Sequence, residues 1–309
     1  MAKWNRSQGS SVKKVIETLC STESYRKVSH RSDYDVPVPS PTVLEDMVRT
    51  IRAILFPDYF GPPGLRPELM NDYVERSLNR VLEQLKEQIN LGLCFNSESN
   101  WVQYKECREI ANELALKLLS GLPRIRHLLS TDVDAAYKGD PAAKSPAETI
   151  ICYPSVRALT NYRIAHDIYR LGVPVIPRII TEMAHSETGI DIHPGAEIGE
   201  HFFMDHGTGI VIGETCVIGQ NVKIYQGVTL GAKNFPLDEN GNPIKGIPRH
   251  PMVEDNVIIY SGATILGRIR IGRDSVIGGN VWLTRDVGPG SRIVQARVEE
   301  NVFESGAGI

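Results

Sequence analysis

A six-residue repeat runs through the C-terminal half of the chain and limits what that half can fold into. Over most of the range between Ile192 and Val287, an aliphatic residue returns at every sixth position and is usually followed by a small residue. A helix has a period of about 3.6 residues and an amphipathic strand a period of about 2, so neither produces this pattern. The repeat predicts a parallel β-helix, a three-walled prism whose coils bury their aliphatic residues against neighbouring coils.

The repeat is regular over three stretches, which are separated by two interruptions. Its starts are Ile192, Ile198 and Met204, then Ile212, Ile218, Ile224 and Leu230, and finally Val253, Ile259, Ile265, Ile271, Ile277 and Leu283. The step from Met204 to Ile212 takes eight residues, and the step from Leu230 to Val253 takes twenty-three. Because the prism itself is only a scaffold, we expect chemistry where the rhythm breaks.

Composition excludes several classes of protein. The 309 residues carry a net charge of −3 without a basic stripe, so we expect no binding to nucleic acid. The chain has no run of about 18 apolar residues, which argues against a membrane span. Its polar N-terminus lacks the apolar core of a secretory signal, and its five scattered cysteines form no CxxC pair. These features predict a cytoplasmic protein with free thiols.

The N-terminal half has the apolar spacing of helices. We predict helices over 42–55, 68–91, 101–120, 124–137, 156–169 and 176–186, with a loop at 139–146. The period changes at about Gly189, which marks a domain boundary. The fold class is therefore α+β. We expect four parts: a flexible N-terminal arm (1–41), an α-helical domain (42–189), a parallel β-helix (190–288) and a C-terminal tail (289–309).

Three polar clusters break the rules of the prism: DIHP at 191–194, DH at 205–206 and RHP at 249–251. Asp191 and His206 lie nearly one coil apart. Since neighbouring coils are about 4.8 Å apart, a contact between this carboxylate and this imidazole is feasible. Such a carboxylate fixes the imidazole tautomer, and the other ring nitrogen can then act as a general base.

Two other interpretations of these clusters stay open. The residues could be ordinary polar side chains at the corners of the prism. They could also form an open zinc site, which needs three imidazoles. The candidates for such ligands are His193, His201, His206 and His250. No pair of them has the coil-to-coil spacing that such a site needs, so we predict no metal.

The clusters belong to motifs that resemble one enzyme family. GIDIHPGAEIG, MDHGTGIVIGET, QGVTLGA and PRHP occur in this order and closely resemble the serine O-acetyltransferases. The resemblance implies a left-handed parallel β-helix of hexapeptide repeats. It also implies transfer of an acetyl group from acetyl-CoA, the co-substrate, to the hydroxyl of L-serine in cysteine biosynthesis.

The resemblance assigns roles to the residues that match these motifs. His206 resembles the catalytic base, and Asp191 resembles the carboxylate that orients it. Asp140, in GDPA, and Asp205 look like the carboxylates that hold the serine amino group. Acidic partners suit the charge of an ammonium group.

Arg249 resembles the residue that binds the serine carboxylate, and His250 beside it also faces the substrate. A planar two-pronged donor suits a carboxylate. The resemblance further implies that acetyl-CoA lies in a groove between two prisms of a homotrimer, which could pair into a dimer of trimers. The residues that permit close approach of its pantetheine arm are Gly231, Ala232, Ser261 and Gly279.

The tail 303–309, FESGAGI, resembles the tails with which many members of this family bind O-acetylserine sulfhydrylase. Such a tail combines a flexible segment with one apolar anchor, here Ile309, and a free carboxylate. We therefore predict the sulfhydrylase as a partner. A disordered terminus without a partner is the alternative.

The chain departs from the family pattern near the expected acyl donor. Ala232 replaces a glycine of many relatives, the loop 232–248 is long, and the segment after Val287 differs. These departures keep open another hexapeptide acyltransferase, with a succinyl donor or with a sugar or different amino acid as acceptor. A metal-dependent hydratase and a scaffold without catalysis are further alternatives.

Overall fold

Nine α-helices and fourteen strands are present in the residues that the computed structural model describes, which are 6–26, 37–95 and 101–295. The helices are α1 (Arg6–Leu19), α2 (Thr22–Arg26), α3 (Pro41–Leu55), α4 (Pro57–Phe60), α5 (Met70–Leu93), α6 (Trp101–Gly139), α7 (Pro146–Cys152), α8 (Pro154–Arg170) and α9 (Ile176–Thr188). A short 3₁₀ helix, Pro67–Leu69, precedes α5. None of the described helices combines the length and the apolar composition that crossing a membrane requires. The cytoplasmic location stays a prediction.

The helical half differs from its prediction in several places. The helices predicted over 101–120 and 124–137 are one helix, α6, which continues through Pro123. Proline weakens a helix interior, but buried Leu118, Leu122 and Ile125 pack this stretch into the core on both sides of Pro123. Helix α7 follows directly on the predicted loop, and helices α1 and α2 lie in the segment predicted as a flexible arm.

The C-terminal half is a left-handed parallel β-helix of hexapeptide repeats, as the sequence predicted. The strands are β1 (Asp191–Ile192), β2 (Glu197–Ile198), β3 (Phe203–Asp205), β4 (Val211–Ile212), β5 (Val217–Ile218), β6 (Lys223–Tyr225), β7 (Thr229–Gly231), β8 (Met252–Val253), β9 (Ile258–Ile259), β10 (Thr264–Leu266), β11 (Arg270–Ile271), β12 (Val276–Ile277), β13 (Trp282–Leu283) and β14 (Arg292–Ile293). Every predicted repeat start is buried. The aliphatic residues therefore fill the inside of the prism.

The strands form three parallel walls. The first wall has the order β1-β4-β7-β10-β13, the second β2-β5-β8-β11 and the third β3-β6-β9-β12-β14. Two corners of the prism hold the two interruptions of the repeat. The 3–1 corner, between the third and first walls, consists of 206–210, 226–228, 260–263 and 278–281. The 1–2 corner consists of 193–196, 213–216, 232–251 and 267–269.

The two interruptions of the repeat have different effects on the register. Asp191 pairs with Val211, and Val211 pairs with Thr229, so the first coil is two residues longer than the next. The long excursion leaves the prism after β7 and returns before β8, and Val217 still pairs with Met252. Both extra segments bulge out at a corner, while the walls continue without a break.

A buried ion pair joins the helical half to the first coil. Arg163 of α8 binds Asp132 of α6 at 3.0 Å, and both side chains are almost completely buried. The same guanidinium donates to the carbonyl oxygens of Ile198 at 2.6 Å and Gly199 at 2.7 Å, while Asp132 accepts from the backbone N–H of Phe202. Burial raises the pKa of Asp132, and Arg163 opposes that effect. These contacts fix the coil that carries the DH motif against the helices.

Candidate active site

The eight-residue step places Asp205 and His206 at the 3–1 corner. Asp205 ends β3 and is mostly buried, whereas the His206 side chain is 72% exposed. His206 has a left-handed backbone, with φ of 58°, and Gly207 follows with φ of 89°. The His206 Nε2 atom lies 3.8 Å from Asp205 Oδ1. The strained turn therefore presents an accessible imidazole next to a carboxylate.

Asp140 reaches the same corner from the end of helix α6. Its Oδ2 accepts a hydrogen bond from the Tyr153 hydroxyl, and its Oδ1 accepts from the backbone N–H of Ala142 at 2.8 Å. The Tyr153 hydrogen bond is the main reason that the pKa of Asp140 is lowered, and His206 and Lys223 lower it further. The structure therefore brings together Asp140, Asp205 and His206, with both carboxylates available to a cation.

Lys223, which the sequence analysis did not select, joins this group. It lies on β6, where it pairs in register with Phe203 of β3. Its Nζ atom donates to the carbonyl oxygen of Gly139 at 2.6 Å and lies 3.5 Å from Asp205 Oδ2. The ammonium group of Lys223 thus contacts both the end of helix α6 and the end of strand β3.

Arg249 and His250 lie at the other corner, 1–2, together with Glu214 and Thr215. The Arg249 Nη2 atom donates to Glu214 Oε2 at 2.7 Å. Burial alone would raise the pKa of Glu214, but the hydrogen bond from Arg249 and the neighbouring charges lower it. The Thr215 hydroxyl accepts from the backbone N–H groups of Arg249 at 2.9 Å and His250 at 3.2 Å. Glu214 and Thr215 therefore fix the RHP segment where the excursion rejoins the prism.

His250 is held in its neutral form. His250 is only 6% exposed. Its burial is the main reason that its pKa is lowered to about 4, and the charge of Arg249 is the second reason. The backbone N–H of Thr215 donates to His250 Nδ1 at 3.1 Å. Because Nδ1 accepts, the proton of the neutral ring is on Nε2, which makes Nε2 a donor.

Asp191 does not contact His206 within the subunit, contrary to the feasible contact in the sequence analysis. Its Oδ1 atom instead lies 3.4 Å from Nη1 of Arg178, on helix α9. The reason is the register: the corner that holds His206 is two residues longer than a regular one, and Asp191 pairs with Val211. Within one subunit, Asp205 is the carboxylate next to the imidazole.

The imidazoles named as possible metal ligands do not converge. Within the described residues, the one group with metal-ligand spacing is Glu182, His185 and Asp191. Arg178 forms ion pairs with both of its carboxylates, so one guanidinium already offsets half of the negative charge of this group. His193 and His250 lie at the 1–2 corner, His206 lies at the 3–1 corner, and His201 lies between the second and third walls.

The four residues predicted for acetyl-CoA are divided between the same two corners. Gly231 ends β7 and Ala232 follows it at the 1–2 corner. Ser261 and Gly279 lie on successive coils at the 3–1 corner, below His206. A Cβ atom on Gly279 would lie 3.2 Å from the Ser261 carbonyl oxygen, so the two backbones approach closely.

Within one subunit, the carboxylates at the 3–1 corner and Arg249 at the 1–2 corner are too far apart to hold one amino acid. Along the first wall, three residue steps (210 to 213) or four (228 to 232) separate the corners, which corresponds to about 10–13 Å at about 3.3 Å per residue. In an amino acid the ammonium nitrogen and the carboxylate carbon share one carbon atom, so they are only about 2.5 Å apart. Asp140 and Asp205 therefore need the 1–2 corner of another subunit if they are to share a ligand with Arg249.

Comparison with known proteins identifies relatives of the whole arrangement. A family model described as bacterial transferase hexapeptide (six repeats) matches residues 250–285. The protein named "Serine acetyltransferase, plasmid" of Synechococcus elongatus is 51% identical over 288 residues, which cover 90% of this chain and 88% of the relative.

Two solved structures extend the comparison to ligands. Entamoeba histolytica serine acetyltransferase 1 in complex with L-cysteine has a TM-score of 0.71 and 38% identity, and the match covers 86% of this chain and 91% of that chain. A serine acetyltransferase in complex with CoA has a TM-score of 0.52 and 26% identity, with 82% of this chain and 99% of that chain covered. The likeness therefore includes both the helical half and the prism.

The low pKa of His250 predicts a loss of stability in mild acid. The folded state keeps this ring neutral down to about pH 4, whereas the unfolded chain binds its proton below about pH 6.5. Stability from this group is therefore complete above about pH 6.5 and falls as the pH decreases toward 4. Between pH 7 and 5, His250→Asn should lose about 2 kcal/mol less unfolding free energy than the wild type does.

Urea unfolding at pH 7 and 5 measures this difference. His127→Asn is the matched control, because it removes an imidazole that is largely exposed and lies outside the 1–2 corner. An identical loss in His250→Asn and in the wild type would contradict the burial of a neutral ring.

Proposed function

The chain belongs to the serine acetyltransferase family, and we propose from this premise that its active site forms between two subunits. It is a serine O-acetyltransferase, and acetyl-CoA is its co-substrate. In our proposal the 3–1 corner of one subunit supplies His206 and the two carboxylates, and the 1–2 corner of a neighbour supplies Arg249 and His250. The separation of the corners within one subunit is the observation that carries this proposal.

His206 is the proposed general base. Its imidazole is the most exposed group of the 3–1 corner cluster and lies beside Asp205. It takes the proton from the serine hydroxyl while the oxygen attacks the thioester carbonyl. A C–O bond forms, the C–S bond breaks, and the protonated imidazole returns the proton to the CoA sulfur. Backbone N–H groups stabilise the oxyanion between these steps.

Asp140 and Asp205 are proposed to hold the serine ammonium group. Tyr153 and the Ala142 N–H hold the Asp140 carboxylate in place and keep it ionised. Asp205 lies directly before the base, so an ammonium bound there places the adjacent hydroxymethyl group near the imidazole. Ionised carboxylates are strong partners for this cation.

Arg249 and His250 of the neighbouring subunit are proposed to bind the serine carboxylate. Glu214 accepts a hydrogen bond from Nη2 of the guanidinium and thereby fixes its direction. Nη1 makes a weaker contact of 3.3 Å to the Ile247 carbonyl oxygen. Neutral His250 can donate from Nε2 without adding a charge. A fixed guanidinium loses less entropy when it binds a carboxylate.

The acetyl-CoA groove follows the same division between subunits. Ser261 and Gly279 would line it from the subunit that carries the base, and Gly231 and Ala232 from the neighbour. A head-to-tail contact of this kind can close into a ring, and the predicted trimer is such a ring. The orienting role of Asp191 stays a prediction, because Arg178 holds this carboxylate within the subunit. Pairing of trimers into a hexamer is likewise still a prediction.

Replacing the base tests its role. His206→Asn should lower turnover by about 10²- to 10⁴-fold, because asparagine cannot accept the proton yet tolerates a left-handed backbone. The rate of thiol release from acetyl-CoA in the presence of L-serine measures this. His201→Asn is the control, since His201 has the same backbone geometry, with φ of 55°, at a different corner. Equal turnover in both variants would remove His206 from the mechanism.

Mixed assemblies test the shared site. His206→Asn and Arg249→Met chains, each with little activity alone, are unfolded, mixed in equal amounts and refolded together. A site that combines the intact corner of each chain should form at about a quarter of the interfaces, so about a quarter of the wild-type activity should return. If both corners act within one subunit, mixing will restore nothing.

We propose that the tail binds O-acetylserine sulfhydrylase, with Ile309 as its anchor. Residues 303–309 lie outside the described residues, so this proposal rests on the sequence. Deletion of Ile309 should abolish co-purification with the sulfhydrylase, because the anchor is lost. Acetyl transfer should stay unchanged, because every proposed active-site residue is retained. A complex that survives this deletion would show that the terminal isoleucine is not the anchor.

A further inference from the structure

Lys223 lies near both carboxylates that the proposed function assigns to the serine ammonium group. Its side chain is 18% exposed, and its Nζ atom lies 3.5 Å from Asp205 Oδ2. The same atom donates to the carbonyl oxygen of Gly139, the residue directly before Asp140. One largely enclosed ammonium group therefore connects the neighbourhoods of both carboxylates.

Two aromatic rings restrict where this ammonium group can lie. Nζ is 5.0 Å from the centre of the Phe203 ring and 4.7 Å from the centre of the Tyr225 ring. Both distances lie within the range of cation–π attraction, which is strongest where water is partly excluded. The rings and the Gly139 carbonyl therefore hold the lysine in one position.

The end of helix α6 approaches the third wall closely enough for this contact to control its position. A Cβ atom on Gly139 would lie 2.8 Å from Phe203 Cδ1, so the glycine lets the helix end pack directly on the wall. A cation next to the last carbonyl groups of a helix also interacts favourably with the helix dipole. Lys223 is therefore a C-terminal cap that the prism supplies to helix α6.

We propose that Lys223 is a positioning residue that fixes Asp140 relative to Asp205 for binding of the serine ammonium group. This inference rests on the proposed function of the two carboxylates. Lys223 holds the chain one residue before Asp140 and partly neutralises Asp205. The two carboxylates and the lysine leave one negative charge, which matches the single positive charge of the ammonium group.

Lys223 has two opposing effects on serine binding. The direction in which the KM for serine changes when Lys223 is removed shows which effect is larger. As a nearby cation it repels the ammonium group, so its removal would lower the KM for serine. As a positioning residue it holds Asp140, so its removal would raise this KM. We expect positioning to be the larger effect, because Lys223 donates a direct hydrogen bond of 2.6 Å to Gly139, whereas Asp205 at 3.5 Å offsets part of its repulsive charge.

Lys223→Met keeps the apolar stem and removes the charge and the donor. We expect the KM for L-serine to rise by about tenfold or more, as for loss of a charged hydrogen bond, with kcat and the KM for acetyl-CoA near their wild-type values. Thiol-release kinetics with either substrate varied measures these constants. Lys223→Arg should recover most of the loss, since the guanidinium also donates and an adjoining cavity of about 330 Å³ has room for it.

Lys138→Met is the matched control. Lys138 lines the same cavity but is 70% exposed and pairs with Asp134, so its loss should leave the serine KM unchanged. A lower or unchanged serine KM in Lys223→Met, or a parallel fall of all kinetic constants and of the thermal midpoint, would overturn the inference. In these cases the wild type still transfers acetyl groups. A wild type without acetyl transfer would instead contradict the proposed function.

Discussion

Parallel pairing between successive coils is the constraint on which the rest of the structure depends. Each wall strand finds its hydrogen-bond partners on the coils above and below, so the corners are stacked into columns. At the 3–1 corner the close contacts run from Gly209 to Gly227 and from Gly227 to Gly262. The column carries His206 on its first coil and Ser261 below. Backbone pairing thus sets the distance between His206 and the proposed donor groove.

The sequence predicted the prism well because its signal is a burial pattern that repeats in every coil. The strand register of the first coil could not be predicted from this pattern. A step of eight residues shows that a bulge exists, but only the pairing of Asp191 with Val211 shows that the bulge is absorbed at the corner. Helix α6 shows the opposite limit: a local signal at Pro123 predicted a break, and packing on both sides of Pro123 overrides it.

The sequence analysis selected the site residues that belong to motifs. It missed the residues that hold those motif residues in place. Glu214 and Thr215 stand inside the GIVIGET motif, so their nearness to the coil corner could have drawn attention to them. Tyr153 and Lys223 have no such signal. Lys223 occupies a variable position of a hexapeptide, and Tyr153 lies between two helices. Their roles depend on contacts between the helical half and the prism, which a one-dimensional pattern does not contain.

The proposed division of the site between two subunits accounts for the way in which each corner is fixed by contacts within its own subunit. In the 1–2 corner, Glu214 directs the guanidinium and Thr215 holds the RHP segment. In the 3–1 corner, Tyr153 holds Asp140 from the helical side. A ligand that must be shared by two subunits loses affinity for every side chain that it has to order. Corners that are already rigid avoid this loss, so under this proposal assembly would only bring two preformed surfaces together.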